Sequence, residues 1–404
     1  MILIMAWRNI WRNKTRSILI MLSIALGLFS GIAILSLYQG MMDSRVRTVI
    51  DAEVGHLQIH HPEFKNDYEP QLTIQNGELV LKSLVSIPEI KLAVPRSISI
   101  GMLSTASGSA GVQINGVIPV QEYLVSQLRK KIIDGKVFEQ EKKNQIIIGK
   151  KLADKLKLKI GSRLVLTFTD SSDEIVSGAF RVCAIYRSDN APLDERNVYV
   201  TMKVLNSMLN IGQSFHEIVL ILMQDGNLNA FKEQLSKQFP DLKIETWQEV
   251  SPETNLLVKT TDKYSYIIMI IIMLALAFGI VNTMLMAILE RTKEIGMMLA
   301  LGTNRIKIFF LVLLETFILT FAGTPIGIFS AWGTISYFQK KGLDLSGMGN
   351  EMMNSFGFGS MIYPEFPADK ILDVFLIVFF TALISCLFPA LKAVRLQPVE
   401  ALKR

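Results

Sequence analysis

Four stretches of this sequence are apolar on every face a helix could present: Ser17–Tyr38, Tyr264–Leu289, Ile308–Tyr337 and Ile371–Leu391. At about 1.5 Å per helical residue each is long enough to cross roughly 30 Å of hydrocarbon, so the pattern predicts four transmembrane helices. Their expected bounds are 17–41, 264–289, 308–337 and 371–391. The first exceeds the apolar core of a signal peptide, about 7–15 residues, and has no small-residue cleavage site, so it reads as an uncleaved span. Ahead of it, residues 1–16 predict an interfacial amphipathic helix. Leu3, Trp7 and Trp11 recur one turn apart, and Arg8, Arg12 and Arg16 form the neighbouring stripe, suited to anionic headgroups. A flank that only orients the first span is an equal alternative.

The long polar stretch 42–262 changes to a mixed α/β pattern. Strand-like runs are His56–Ile59, Gln145–Ile148, Arg163–Phe168, Phe180–Ile185, Asn197–Val200 and Glu217–Leu222. Helix-like runs are Val120–Ile133, Lys150–Leu156, Met202–Leu209 and Leu228–Gln238. Gly161-Ser162 and Asp170-Ser171-Ser172-Asp173 read as turns. Residues 120–213 read as a β-rich subdomain inserted in a second α/β unit. Gln39–Asp51 and Ser251–Lys263 extend the first two spans as a stalk, and Phe338–Lys370 reads as an irregular loop.

Composition agrees with the pattern: half of the 404 residues are hydrophobic. Lys and Arg set the orientation. They gather before span one (Arg8, Arg12, Lys14, Arg16), between spans two and three (Arg291, Lys293, Arg305, Lys307) and after span four (Lys392, Arg395, Lys403, Arg404). By the positive-inside rule those segments are cytoplasmic, and 42–262 and 338–370 lie on the far side. The net charge of +6 sits largely at these ends and needs no nucleic acid. Cys183 and Cys386 fall in an exported domain and a span, so no disulfide framework is implied, and both read as buried small hydrophobes.

Several positions carry candidate chemistry. Within 290–305, Glu290 and Glu294 stand one turn apart, as do Ile295 and Leu299, while Met298 and Leu301 extend the apolar side. Gly296 and Gly302 permit close approach or a helix stop, giving a short amphipathic helix that turns at Gly302. Glu315 lies inside span three, at a cost of about 2.5–3.5 kcal/mol on insertion scales, so it faces protein or water. It is a proton or substrate site, or a structural partner joining the cytoplasmic ends, and the second weighs more. Met269, Met273, Leu276 and Ile280 make a stripe on span two that could line a substrate path, although plain helix packing is the commoner meaning. His56, His60 and His61 lack a Cys or carboxylate at ligand spacing, so they read as surface or subdomain-contact residues rather than a metal site. No G-x-x-x-x-G-K-[ST] loop occurs to cradle ATP phosphates. No nucleophile–base pair emerges, and Leu345–Gly349 echoes an ATPase signature loop only by chance.

ERTKEIGMMLALGTNRIKIFFLVLLE, beginning at Glu290, and the terminal PALKAVRLQPVEALKR resemble two segments of bacterial ABC-transporter permeases in the group containing MacB, FtsX and the lipoprotein-releasing permeases. The resemblance extends to topology: one span, a large exported domain, then three spans. It implies a type VII ABC permease with a MacB-like extracytoplasmic α/β domain between helices one and two. It also implies a dimer, with an identical copy or a paralogue, served by two copies of a separate ATPase that carries the ATP and Mg. Glu290, Arg291, Glu294, Ile295, Gly296, Met298, Leu299, Leu301 and Gly302 match the family's coupling helix, which seats on the ATPase.

GHLQIHHPEF and TWQEVSPETNLL are most similar to lipoprotein-releasing permeases, implying mechanotransmission on a lipoprotein at the outer leaflet of the inner membrane and a periplasmic chaperone. Alternatives are MacB-like export of peptides, antibiotics or other amphiphiles with an adaptor, and an FtsX-like scaffold controlling a cell-wall hydrolase.

Overall fold

The computed structural model describes residues 2–12, 14–139, 144–188, 190–223, 226–345, 358 and 361–397. The end of the terminal motif, from Pro398, and most of the Leu345–Gly349 echo lie outside them. The chain divides into two units: 1–42, 259–343 and 362–404 form a helical unit, and 43–258 with 344–361 form an α/β unit.

The helical unit contains α1 (Ile2–Arg12), α2 (Lys14–Val49), α3 (Pro252–Glu290), α4 (Thr292–Ala300), α5 (Arg305–Lys341) and α6 (Ile371–Val394), where α2 and α3 continue past its bounds. Helices α2, α3, α5 and α6 are long and apolar enough to cross a membrane. They overrun the expected spans because hydropathy marks only the hydrocarbon-deep part. Helix α5 runs through Phe338 to Lys341 and stops at Gly342, so the irregular loop begins later than expected.

Small residues set the helix packing. A Cβ on Gly323 would lie 2.8 Å from the Met21 carbonyl oxygen, and one on Gly327 2.8 Å from that of Ala25, so α5 rests directly on the α2 backbone. This small-x-x-x-small spacing lets membrane helices approach closely where the hydrophobic effect gives no drive. Between α5 and α6, Phe317 meets Phe379 edge-on at 5.7 Å and Phe321 meets Phe375 at 6.2 Å. Cys386 is buried there and accepts a hydrogen bond from Thr316 Oγ1 at 2.9 Å.

The α/β unit carries β1 (Leu57–His60), β2 (Ile90–Thr105), β3 (Gly108–Val117), β4 (Ile132–Gly135), β5 (Gln145–Gly149), β6 (Arg163–Thr169), β7 (Ile175–Tyr186), β8 (Asn197–Thr201), β9 (Glu217–Leu222) and β10 (Lys243–Thr246). Their order is β10-β1-β9-β2-β3-β8-β5-β7-β4, with β6 bridging β2 and β7. The long strand β2 serves two layers. Its Ile90–Arg96 half pairs with β9, whereas Arg96–Thr105 pairs with β3 and Gly101–Ser104 also with β6. Because β6 returns to β7, strands β2-β3-β8-β5-β7-β6 close a ring around Leu103, Ile114, Ile146, Leu166, Phe180 and Val200. The other half packs helices Gly77–Val85 and Leu228–Gln238 onto Leu57, Ile59, Leu220 and Ile244.

The β-rich subdomain therefore begins within β2, not at residue 120. No linker marks the change, since one unbroken strand runs through both halves. The helix expected over Val120–Ile133 breaks at Gln127, whose φ is +50°, and its end becomes β4. At the change-over Arg96 is buried and paired bidentately with Glu122, at 2.7 and 2.9 Å, with Glu217 3.8 Å away. Both expected turns are present: Asp170 Oδ1 accepts from Ser172 N at 2.8 Å and Glu174 N at 3.0 Å, and Gly161 has φ +83°.

His56 and His60 are buried, so of the two expected roles, surface or subdomain contact, the surface one does not hold for them. Strand β1 is covered on both edges, and Glu245 on β10 reaches His60 Nε2 at 3.1 Å and Lys65 Nζ at 3.0 Å. The bonds from His60, Lys243 and Lys65 outweigh burial and hold the Glu245 carboxyl well below the usual carboxylate range. Among the described residues no three His, Cys, Asp or Glu side chains group as metal ligands. Cys183 is half-buried rather than fully enclosed, and burial raises its thiol to about 11.

Candidate functional site

Two chain reversals within 290–305 shape the segment between α3 and α5. Helix α3 ends at Glu290 because Arg291 leaves helical geometry at φ −105°, ψ 16°, and Thr292 Oγ1 donates to the Leu289 carbonyl at 2.8 Å. Helix α4 follows and stops at Gly302, which has φ +85°. There Gly302 N bonds to Leu299 O and Thr303 N to Met298 O, both at 3.0 Å, which is the Schellman arrangement that satisfies the last free carbonyls. Asn304 Oδ1 then accepts from Ile306 N at 2.9 Å and caps the start of α5.

This geometry revises the expected amphipathic helix. Glu290 closes α3 and is not one turn from Glu294 on a common helix. Ile295 and Gly296 face inward, Ile295 within the core that includes Ile10 and Ile308, so neither offers a surface to a partner. Leu299 packs partly against that core and Met298 is half-buried. The exposed apolar side is Met297 and Leu301, 51% and 82% accessible. Sequence periodicity alone misses Met297, because the register it suggests places the apolar face one position away.

Beneath α4 lies a polar network drawn from four helices. Glu315 on α5 is 5% accessible. Its Oε1 accepts from Asn9 Nδ2 on α1 at 2.6 Å and from Arg291 at 3.2 Å, and Arg16 on α2 stands 3.8 Å from Oε2. Arg291 also donates to Glu294 at 3.2 Å, and Arg12 on α1 pairs with the same carboxylate. Partial burial of Glu294 opposes ionisation, but the bonds from Arg12 and Arg291 prevail and lower its pKa. Arg12 and Arg16 therefore turn to carboxylates rather than to lipid headgroups, leaving Arg8 exposed on the outer stripe with Trp7 and Trp11. Asn9 has no signal in the sequence beyond standing next to the buried Ile10.

The stripe on α3 is occupied by packing. Met269, Met273 and Ile280 are buried in the helical core, and Leu276 packs against it. A Cβ on Gly27 would meet Leu276 at 2.5 Å, and one on Gly31 would sit 3.7 Å from the Met269 sulfur. These contacts with α2 are those of plain helix packing, the commoner meaning of such a stripe.

Comparison with known proteins fits this architecture. The MacB-like periplasmic core domain model matches residues 17–238, and the FtsX-like permease C-terminal model matches 266–398. The chain belongs to the MacB/FtsX group of ABC transporter permeases. It is similar to an uncharacterised ABC transporter permease of Methanocaldococcus jannaschii, 21% identical across 100% of this chain and 97% of that one. The lipoprotein-releasing system transmembrane protein LolC of Neisseria meningitidis serogroup B is 22% identical across 97% of this chain and 95% of its own. The macrolide export ATP-binding/permease protein MacB of Campylobacter jejuni is 21% identical across 99% of this chain but only 60% of its own. The permease is thus a multi-pass membrane protein with a MacB-like domain between its first and second spans.

Proposed function

We propose that this permease is the membrane subunit of an ATP-driven complex in which a separate ABC ATPase dimer docks at α4. Each ATPase stroke then moves the spans and, through α2 and α3, the exported domain, without a channel for cargo. The observation that carries this reading is α4 itself, a helix capped at its end and presenting Met297 and Leu301 between two spans. The 404 residues hold no phosphate loop, so in this reading the ATP and Mg sites lie outside them. In this reading α1, α4 and both termini face the cytoplasm of the inner membrane, as the Lys and Arg distribution suggests. A second permease, identical or a paralogue, completes the complex.

For cargo, the reading is a lipoprotein taken from the outer leaflet toward the outer membrane, with a periplasmic chaperone as acceptor. The end-to-end correspondence with a lipoprotein-releasing chain supports it. Export of macrolides or other amphiphiles, as in the longer MacB relative, is the second reading. Purifying the tagged complex from its native membrane and identifying what accompanies it tests both. A co-purified ATPase and lipoprotein are expected. ATPase stimulation by a macrolide or peptide with no bound lipoprotein would favour export, capture of a cell-wall hydrolase would favour a signalling scaffold, and no ATPase at all would sink the proposal.

A further inference from the structure

Helix α1 has three faces. Ala6 and Ile10 are buried against the bundle, and Leu3, Trp7 and Trp11 are exposed on an apolar side suited to the membrane interface. Met5, Asn9 and Arg12, at i, i+4 and i+7, line a cavity of about 330 Å³ whose opposite wall is α4. Across it stand Glu294, Met297, Met298 and Leu301, with Glu315 among the remaining lining residues. We infer that α1 is the second wall of the ATPase seat, so that the ATPase inserts an apolar side chain between α1 and α4. This rests on the reading that α4 is the coupling helix.

The chemistry of the cavity selects such an occupant. Its charged groups are spent on one another, Arg12 and Arg291 with Glu294, and Arg291 and Asn9 with Glu315. A charged or strongly polar ligand would find those groups already engaged, whereas Met5, Met297, Met298 and Leu301 offer adaptable apolar contact. Outside it Lys293, Arg305 and Lys307 carry no ion partner among the described residues, and all three are exposed. That excess of positive charge fits a partner whose apolar anchor is ringed by acidic residues. Arg12–Glu294 joins the two walls, and Asn9–Glu315 ties α1 to α5, so a push on α4 reaches α1 as well.

The test uses the full-length permease, tagged and purified with the ATPase that accompanies it. Leu301→Glu and Met5→Glu are each expected to lower retained ATPase at least tenfold, while Arg8→Ala, outside the cavity, leaves most of it bound. If Leu301→Glu releases the ATPase and Met5→Glu does not, α4 is the seat and α1 is no part of it. If neither does, the coupling reading itself fails. Because Met5→Glu could disturb α1 by itself, Met5→Cys in lipid nanodiscs provides an independent measure. A polar maleimide should label it once the ATPase is stripped and fail to label it when the purified ATPase is restored. Protection by lipid alone, with labelling only in detergent, would overturn the inference by showing that the cavity faces the bilayer.

Discussion

Asn9 donates a 2.6 Å hydrogen bond to Glu315, joining the second turn of the chain to a buried carboxylate 306 positions later. With Arg16 and Arg291 on the same group, that carboxylate is the junction of α1, α2, α5 and the α3–α4 corner. Removing one partner of a buried charge cluster leaves the others uncompensated in low dielectric, at about 3–5 kcal/mol. Glu315→Ala is therefore expected to destabilise the helical unit on that scale. The check is the thermal unfolding midpoint in detergent. Glu315→Gln should recover part of the loss, since its amide oxygen still accepts from Asn9.

Close helix approach gives a second prediction. At Gly327 an added Cβ would lie 2.8 Å from both the Ala25 carbonyl oxygen and the Leu28 Cβ. Neither can yield without shifting α2. Gly327→Val should cost about 1–3 kcal/mol, the usual range for overpacking. Around Gly333 on the same helix an added Cβ would meet nothing within 4 Å, so Gly333→Val is the matched control and should be nearly neutral. Comparing the two midpoints separates packing from helix propensity.

His216 makes the α/β unit sensitive to acid. Its Nδ1 accepts from Ile98 N at 3.0 Å, its Nε2 donates to the Pro70 carbonyl at 3.0 Å, and its ring stacks on Phe64 at 4.8 Å. Both nitrogens are satisfied only in the neutral form, and burial lowers the pKa from 6.5 to about 4. The folded state thus binds fewer protons than the unfolded one between those values. Stability is fully present above about pH 6.5 and lost as pH falls towards 4, by about 3 kcal/mol in all. Denaturant midpoints between pH 7 and 4.5 should show this slope, and His216→Gln should flatten it.

Much of this architecture is legible in the residues, and the exceptions have physical causes. Transmembrane segments announce themselves because a bilayer demands long apolar runs, and all four fall on helices. Helix ends are less visible, since Arg291 breaks the α3–α4 path with no Pro or Gly to mark it. Inward and outward faces of α4 cannot be assigned from period alone, because Ile295 belongs to a core that includes Ile10, some 285 residues away, and nothing local records that. Strands β2 and β3 are hidden for a different reason. Their Ser, Gly and Asn content weakens strand propensity, and ring closure through β6 overrides it.

The pair Arg12–Glu294 separates mechanical linkage from stability. Both side chains are about half exposed, so the pair contributes on the order of 0–1 kcal/mol and weakens as salt rises. A charge swap is a poor probe, because an arginine at 294 would face Arg291 as well. Neutral variants are cleaner. Arg12→Gln and Glu294→Gln, singly and together, form a double-mutant cycle that isolates the link. Each single change is expected to speed hydrogen exchange in α1, with the double no faster than either, while the global unfolding midpoint stays nearly constant. Strictly additive acceleration would mean that Arg12 and Glu294 act independently and that α1 is held by Asn9 and the buried seam alone. The low pKa of Glu294 adds a pH signature. Because the group is depressed in the folded state, the link is present at neutral pH and is lost as acid protonates the carboxylate. Exchange in wild-type α1 should therefore approach that of Glu294→Gln on acidification, after correction for the intrinsic rate.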